Sequence, residues 1–255
     1  MLDEYLKYHE KYKKLYGNKS LILLQNGGFF EIFSVMNDEL SLGPNIYEIC
    51  NNTLNIIVSR RDKKVKEITK SNHLMAGFPL HALNKYTPIL LDNGYTIVLI
   101  EQITKPPNPD RQVTKILSPG TVIENYNNKD NNYLMSIFIE KTEYQNTNIH
   151  TAGVSLIDIS TGKNYISHIM SNIDDINHWK DEIQRIIINY DPIELIIHTE
   201  GLTLTEEYII NNFSTNASIQ INHYSQNKSF KKITFQNEFL QKIFTFNNML
   251  SPIEN

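Results

Sequence analysis

The stretch that most limits the folds open to this chain lies between residues 20 and 35. An apolar run over 20–24 meets Asn26-Gly27-Gly28 and then an aromatic and β-branched run over 29–35. Glycines after an asparagine accept the backbone angles of a tight hairpin turn, so two antiparallel strands are predicted. Alternation places Phe29, Glu31 and Phe33 on one face, with Phe30 and Ile32 on the other. Phe30 and Ile32 can then anchor the strand, while Phe29 and Glu31 project beside a Gly-Gly turn that leaves room for a bulky partner. On spacing alone a second reading stays open, with Phe29 in the core and Glu31 a solvated strand carboxylate.

Around the hairpin the pattern alternates. An amphipathic helix is predicted over 3–17, with Leu2, Tyr5, Leu6, His9, Tyr12 and Tyr16 at helical spacing and Gly17 as its stop. Short helical and strand segments are expected over 46–50 and 54–59, a helix over 80–93 and strands over 95–100 and 113–117, before the turn Ser118-Pro119-Gly120. Residues 1–123 therefore read as a mixed α/β domain. The polar stretch 124–132 reads as a linker, and 133–255 as a second domain. In that domain strands are predicted over 133–139, 152–159 and 163–169, the last two joined at Thr161-Gly162. A helix over 176–190, a buried strand over 193–198 and a helix over 205–213 follow, and a further helical region begins at 235–246. The order β-β-β-α-β-α points to an RNase-H-like sheet.

Composition bounds the function classes. Cys50 is the only cysteine, which excludes a disulfide framework and a thiolate zinc cluster, and its apolar neighbours make it a core thiol. No apolar run reaches the roughly 20 residues of a membrane span, and the N-terminus lacks a secretory core, so no membrane partner and an intracellular location are expected, with cytoplasm, nucleus and organelle left open. The formal charge of −4 is not that of a module holding nucleic acid by phosphate neutralisation alone. Any such contact must come from local patches or another domain. Arg60, Arg61, Lys63, Lys64 and Lys66 form one basic run, and Lys105 and Arg111 flank a proline-rich loop. Both read equally well as solvated loops.

Gly27-Gly28-Phe29-Phe30-Glu31-Ile32-Phe33 resembles the Gly-Asp-Phe-Tyr-Glu-Leu-Phe segment of the MutS mismatch-repair family. Three further segments resemble that family in order: Met75-Ala76-Gly77-Phe78-Pro79-Leu80-His81-Ala82, Glu101-Gln102-Ile103 and Ser118-Pro119-Gly120-Thr121. Residues 153–162 resemble its connector domain. The resemblance implies a mismatch-binding domain followed by an RNase-H-like connector. It assigns Phe29 to the wedge that stacks on a mispaired base and Glu31 to its hydrogen-bonding partner. Gly27 and Gly28 would shape that site, and Arg60, Arg61, Lys63, Lys64, Lys105 and Arg111 would be candidate contacts to the DNA backbone. It implies mismatched double-stranded DNA and downstream repair proteins as partners. For a longer parent that continues beyond Asn255 into lever, clamp and ATPase domains, it implies dimerisation, ATP and Mg2+.

Within these residues no catalytic residue, metal site or cofactor is expected, because no Gly-x-x-x-x-Gly-Lys-Ser/Thr loop occurs and Thr161-Gly162-Lys163-Asn164 reads as a hairpin turn. Gly28 stands where the family has Asp, and Gln25-Asn26 where Arg-Met is common, which removes a cation. These departures, with a composition rich in Asn, Ile, Lys and Tyr and poor in Ala, Gly and Arg that is typical of coding by AT-rich genomes, point to the divergent branch of giant viruses and octocoral mitochondria. Gly77 reads as permitting a tight turn. The competing reading is a metal-dependent nuclease built on the second sheet with Asp158 as first ligand.

Overall fold

A computed structural model describes residues 1–104, 107, 109–122, 132–144, 147–200, 202, 204–223 and 228–243. Met1–Asn222 form one compact unit and His223–Asn255 a second. The architecture is mixed α/β. In the first unit, helix α1 (Leu2–Tyr16) leads into strands β1 (Ser20–Asn26) and β2 (Phe29–Met36), then β3 (Ser41–Leu42), β4 (Ser59–Arg60) and β5 (Leu74–Pro79). Helix α2 (Leu83–Asp92) and strands β6 (Thr96–Gln102) and β7 (Arg111–Leu117) follow. The sheet runs β4-β5-β2-β1-β6-β7, with β3 attached to β2.

The predicted hairpin forms with Asn26 opposite Phe29, so Gly27-Gly28 alone make the turn, and Gly27 takes φ 57°. β1 lies at the centre of the sheet and pairs in parallel with β6. Residues 20–24 are buried throughout, which accounts for an apolar run without alternation. α1 covers one face. Its Tyr5 is fully buried, donates its hydroxyl to the Ile22 carbonyl at 3.2 Å and meets the Phe33 ring edge-on at 5.3 Å.

Two local expectations fail here. The strand expected over 54–59 is irregular but for β4, because Asn55 turns to φ 52° and Ile57 points into solvent at 87% exposure. Residues expected to turn at Gly77 instead build β5, which pairs antiparallel with β2 and sets Gly77 opposite Glu31. A Cβ on Gly77 would stand 2.5 Å from the Phe30 carbonyl oxygen. The glycine thus permits close approach of two strands rather than a turn.

The second sheet uses β8 (Tyr133–Tyr144), β9 (Thr147–Asp158), β10 (Asn164–Met170), β11 (Glu194–Glu200) and β12 (Ser218–His223), with helices α3 (His178–Tyr190) and α4 (Glu206–Asn212) between them. Its order is β10-β9-β8-β11-β12, with β11 parallel to β8. β12 was not foreseen. α3 and α4 bury Trp179, Ile183, Ile187 and Ile209 against the sheet, joined by Phe213 just beyond α4. The linker expected over 124–132 lies, but for Asn132, outside the described residues. The second unit contains helix α5 (Ile233–Ile243), where Phe235 and Phe239 stack at 6.3 Å. Among the described residues no helix is long and apolar enough to cross a membrane.

Gly77→Ala is expected to destabilise the fold by about 1–3 kcal/mol, the usual cost of forcing an extra carbon into packed surroundings. Gly153, on β9, has no atom within 4 Å of its own Cβ position. Gly153→Ala should leave the midpoint of urea unfolding almost unchanged, and equal shifts for the two variants would remove the close-approach explanation.

Candidate nucleic-acid interface

β2 begins outside the core and then enters it. Phe29 is 49% exposed, whereas Phe30, Ile32 and Phe33 are buried. Phe30 packs against Phe78 at 6.2 Å and Phe78 against Tyr86 at 4.6 Å, while Phe33 meets both Tyr5 and His73 at 5.3 Å. With three of its first five residues locked, the strand holds Phe29 at a defined place. Nothing lies within 4 Å of the Cβ positions of Gly27 and Gly28, so the space over the turn is open. A side chain in place of Gly28 would therefore meet no obstacle.

Glu31 shares Phe29's face and is half-buried. Its Oε2 accepts a hydrogen bond from the Asn26 side-chain amide at 2.9 Å. Burial pushes the carboxyl above its ordinary value, while the Asn26 bond and the charge of Arg111 pull it down. Glu31 lines a cleft of about 570 Å³ together with Asn26, Phe33, His73, Arg61 and Lys70. Lys70 carries no signal in the sequence. Asn26 occupies a turn-forming position, and only the fold shows that its amide also orients the carboxylate.

The basic candidates separate into three groups. Arg61, Lys63 and Lys64 are exposed on the loop between β4 and β5, and Arg61 reaches the Glu31 cleft. Buried Asn72 shapes this loop, donating to the carbonyls of Val65 and Glu67 at 3.1 and 2.8 Å and accepting from the Asp62 amide at 2.7 Å. Arg60 is half-buried in β4, with its Nη2 on the Lys63 carbonyl. Arg111, expected at the DNA backbone, is turned inward. Its side chain is 10% exposed; Nε donates to the Gln25 carbonyl at 3.1 Å and Nη1 to Glu4 at 3.3 Å. That cation holds the base of the hairpin. Lys105 lies outside the described residues.

Residues 1–126 match the family model of MutS domain I. The chain carries an N-terminal domain of the MutS family. A DNA mismatch repair protein mutS homolog of Acanthamoeba polyphaga mimivirus is 31% identical to it, over 98% of this chain and 24% of the relative. The DNA mismatch repair protein MutS of Caldanaerobacter subterraneus is 31% identical over 91% of this chain and 24% of its own length. That of Halothermothrix orenii is 32% identical over 82% and 20%. The chain thus spans about a quarter of the length of the curated relatives it matches.

In this MutS domain I, two family-like segments converge on the hairpin. Residues 75–79 lie in β5 alongside β2, and the Gln102 amide at the end of β6 donates to the Gln25 side chain at 2.8 Å. Gln25 and Asn26, the departures from the family pattern, both brace the turn region here. Asp158 gives the nuclease reading no support. Its carboxylate accepts the Ser160 amide, the Ser160 hydroxyl and the Thr161 hydroxyl at 2.9, 2.5 and 2.6 Å, closing the β9–β10 turn, and these bonds hold its pKa below the ordinary value. Among the described residues no three His, Cys, Asp or Glu side chains stand where they could hold a metal ion.

A raised folded pKa means the folded chain binds the Glu31 proton more tightly than the unfolded chain does. Stability at this site is therefore greatest below the ordinary carboxylate range and falls as pH rises through the folded pKa. Glu31→Gln, which removes the buried charge, is expected to raise the thermal midpoint at about pH 7 and leave it unchanged at about pH 3, below the ordinary glutamate value. An equal change at both values would assign the effect to something other than the charge.

Proposed function

We propose that this chain is the mismatch-reading part of a MutS-type DNA repair protein, in which Phe29 enters the minor groove and stacks on the mispaired base while Glu31 hydrogen-bonds it. The observation that carries this reading is the exposed Phe29 ring at the start of a strand whose following residues are locked in the core. A mispair offers no fixed code of base edges. It is distinguished by weak stacking and easy bending, and an apolar wedge opens the step most cheaply where pairing is already broken. Aromatic stacking is worth about 1–3 kcal/mol for any base, which suits a detector of many different mispairs.

Glu31 supplies discrimination rather than affinity. A carboxylate among phosphates is repelled by every duplex. Only a displaced base offers a free N–H donor, or a ring nitrogen to which a protonated Glu31 can donate. Burial favours the protonated form of Glu31, while the Asn26 bond favours the charged one. Arg61, Lys63 and Lys64 stand where phosphate contact is open to them.

The strand order β10-β9-β8-β11-β12 supports the RNase-H-like connector reading of the second sheet, with repair proteins as its partners. ATP hydrolysis with Mg2+ and dimerisation belong to this reading only for a longer protein, since these 255 residues contain no Gly-x-x-x-x-Gly-Lys-Ser/Thr loop and Thr161-Gly162-Lys163 turns a hairpin. The alignment with the mimivirus relative over nearly the whole chain supports the giant-virus branch.

Phe29→Ala is expected to abolish the preference for a mismatched over a matched duplex while costing less than about 1 kcal/mol of stability, well under the roughly 3–5 kcal/mol of a buried Phe. Fluorescence anisotropy at low salt and thermal unfolding read the two effects. Because the chain is acidic overall, its affinity should be weak for either duplex. Retained preference in the variant would sink the wedge assignment.

A further inference from the structure

The two sheets of the first unit have separate apolar cores, one drawn from residues 2–100 and the other from 135–213. Among the described residues no single hydrophobic cluster spans both sheets, and hydrogen bonds cross the junction at Glu194, Ser218 and Gln220. Glu194, the first residue of β11, is 2% exposed. One of its oxygens, Oε2, accepts both the Ser118 hydroxyl and the Gly120 amide at 2.8 Å. Both donors belong to the family-like segment Ser118-Pro119-Gly120-Thr121, a β-turn closed by the Thr121 amide on the Ser118 carbonyl at 3.1 Å. The Thr121 hydroxyl also accepts from the Ser118 amide at 2.9 Å and lies 3.0 Å from the Ser118 hydroxyl, which stiffens the turn.

Fit at this contact is tight. A Cβ on Gly120 would stand 2.7 Å from the Glu194 carboxylate and 2.9 Å from a Leu134 methyl. Burial pushes the Glu194 pKa up, while the bonds from Ser118 and Gly120 pull it down. Two weaker contacts lie nearby: the Ser218 hydroxyl donates to the Gly94 carbonyl at 3.1 Å, and the Gln220 amide to the Thr96 hydroxyl at 3.3 Å. The turn follows directly on β7, and the opposite end of β7 is Arg111, which grips the Gln25 carbonyl at the hairpin base. One extended strand thus runs from Glu194's contact to the strand pair that carries Phe29.

We propose that Glu194 and the 118–121 turn form a clasp that sets the angle between the Phe29-bearing sheet and the second sheet, making Glu194 a positioning residue for mismatch reading. The functional half of this inference rests on the mismatch-reading role proposed above; the geometric half does not. Hydrogen bonds to a buried carboxylate are directional, whereas apolar contact is not, so a polar clasp can select one orientation where apolar packing would tolerate several. Holding the wedge at one angle lowers the ordering cost of binding.

The test attaches spin labels to cysteines introduced at Lys14 on α1 and Ile188 on α3, both exposed, in the full chain with buried Cys50 left in place. The unsubstituted clasp should give one narrow inter-label distance. Glu194→Ala and the milder Ser118→Ala should broaden it with circular dichroism unchanged, while Glu194→Gln, whose amide oxygen can accept both donors, should keep it narrow. In anisotropy titrations Glu194→Ala should lose about fivefold or more of the mismatch preference, the lower end of couplings between sites. An unchanged distance distribution in both alanine variants overturns the clasp. Broadening with undiminished mismatch preference overturns its positioning role. Failure of the mismatch reading itself is seen separately, as no preference before any substitution.

Discussion

The candidate site in this chain hangs from the register of one strand. β2 buries Phe30, Ile32 and Phe33 between α1 and the α2 side of the sheet, and this burial leaves Phe29 outside and Glu31 at the rim. A slip of one residue would exchange the two faces, putting Phe30 into solvent and a carboxylate into the core. The slip is opposed on both sides. The two-glycine turn fixes the pairing with β1, and the close approach of Gly77 fixes the pairing with β5.

Electrostatics at the interface are arranged by local hydrogen bonds more than by net charge. The chain is acidic, and the cation nearest the hairpin base, Arg111, is consumed in holding Gln25 and Glu4. Exposed positive charge is gathered instead on the loop shaped by Asn72, across a cleft from Glu31. A carboxylate that is partly desolvated, bonded to Asn26 and faced by Arg61 is poorly suited to general DNA affinity. The discriminating role proposed for Glu31 is compatible with such a site.

Between the two sheets the logic is similar. Neither apolar core extends into the other, and a buried glutamate receives two donors of a turn in which a Cβ on Gly120 would crowd its carboxylate. Such a joint is directional. Its cost is the burial of a charge, and that cost is offset only when both donors are in place.

Residues 20–36 were legible from sequence because they combine the two strongest local signals, a glycine turn and period-two alternation, and because their pairing is with an adjacent strand. The β9–β10 hairpin was legible for the same reason, and α1 and α3 because helical spacing of apolar residues is also a local signal. β5 was missed as a strand because its partner β2 lies 40 to 50 residues earlier, and a glycine within it imitates a turn until the neighbouring strand is seen. The inward rotation of Arg111 was hidden for a like reason, since its partners Gln25 and Glu4 lie far along the chain. The sequence by itself determined which residues form the strand that carries Phe29 and that Phe29 and Glu31 share a face, since those follow from nearest-neighbour backbone geometry. Tertiary structure alone decided that Phe29 is left exposed, that Asn26 orients Glu31 and that Glu194 is bound to the 118–121 turn, because burial and hydrogen-bond partnership belong to segments brought together only by folding.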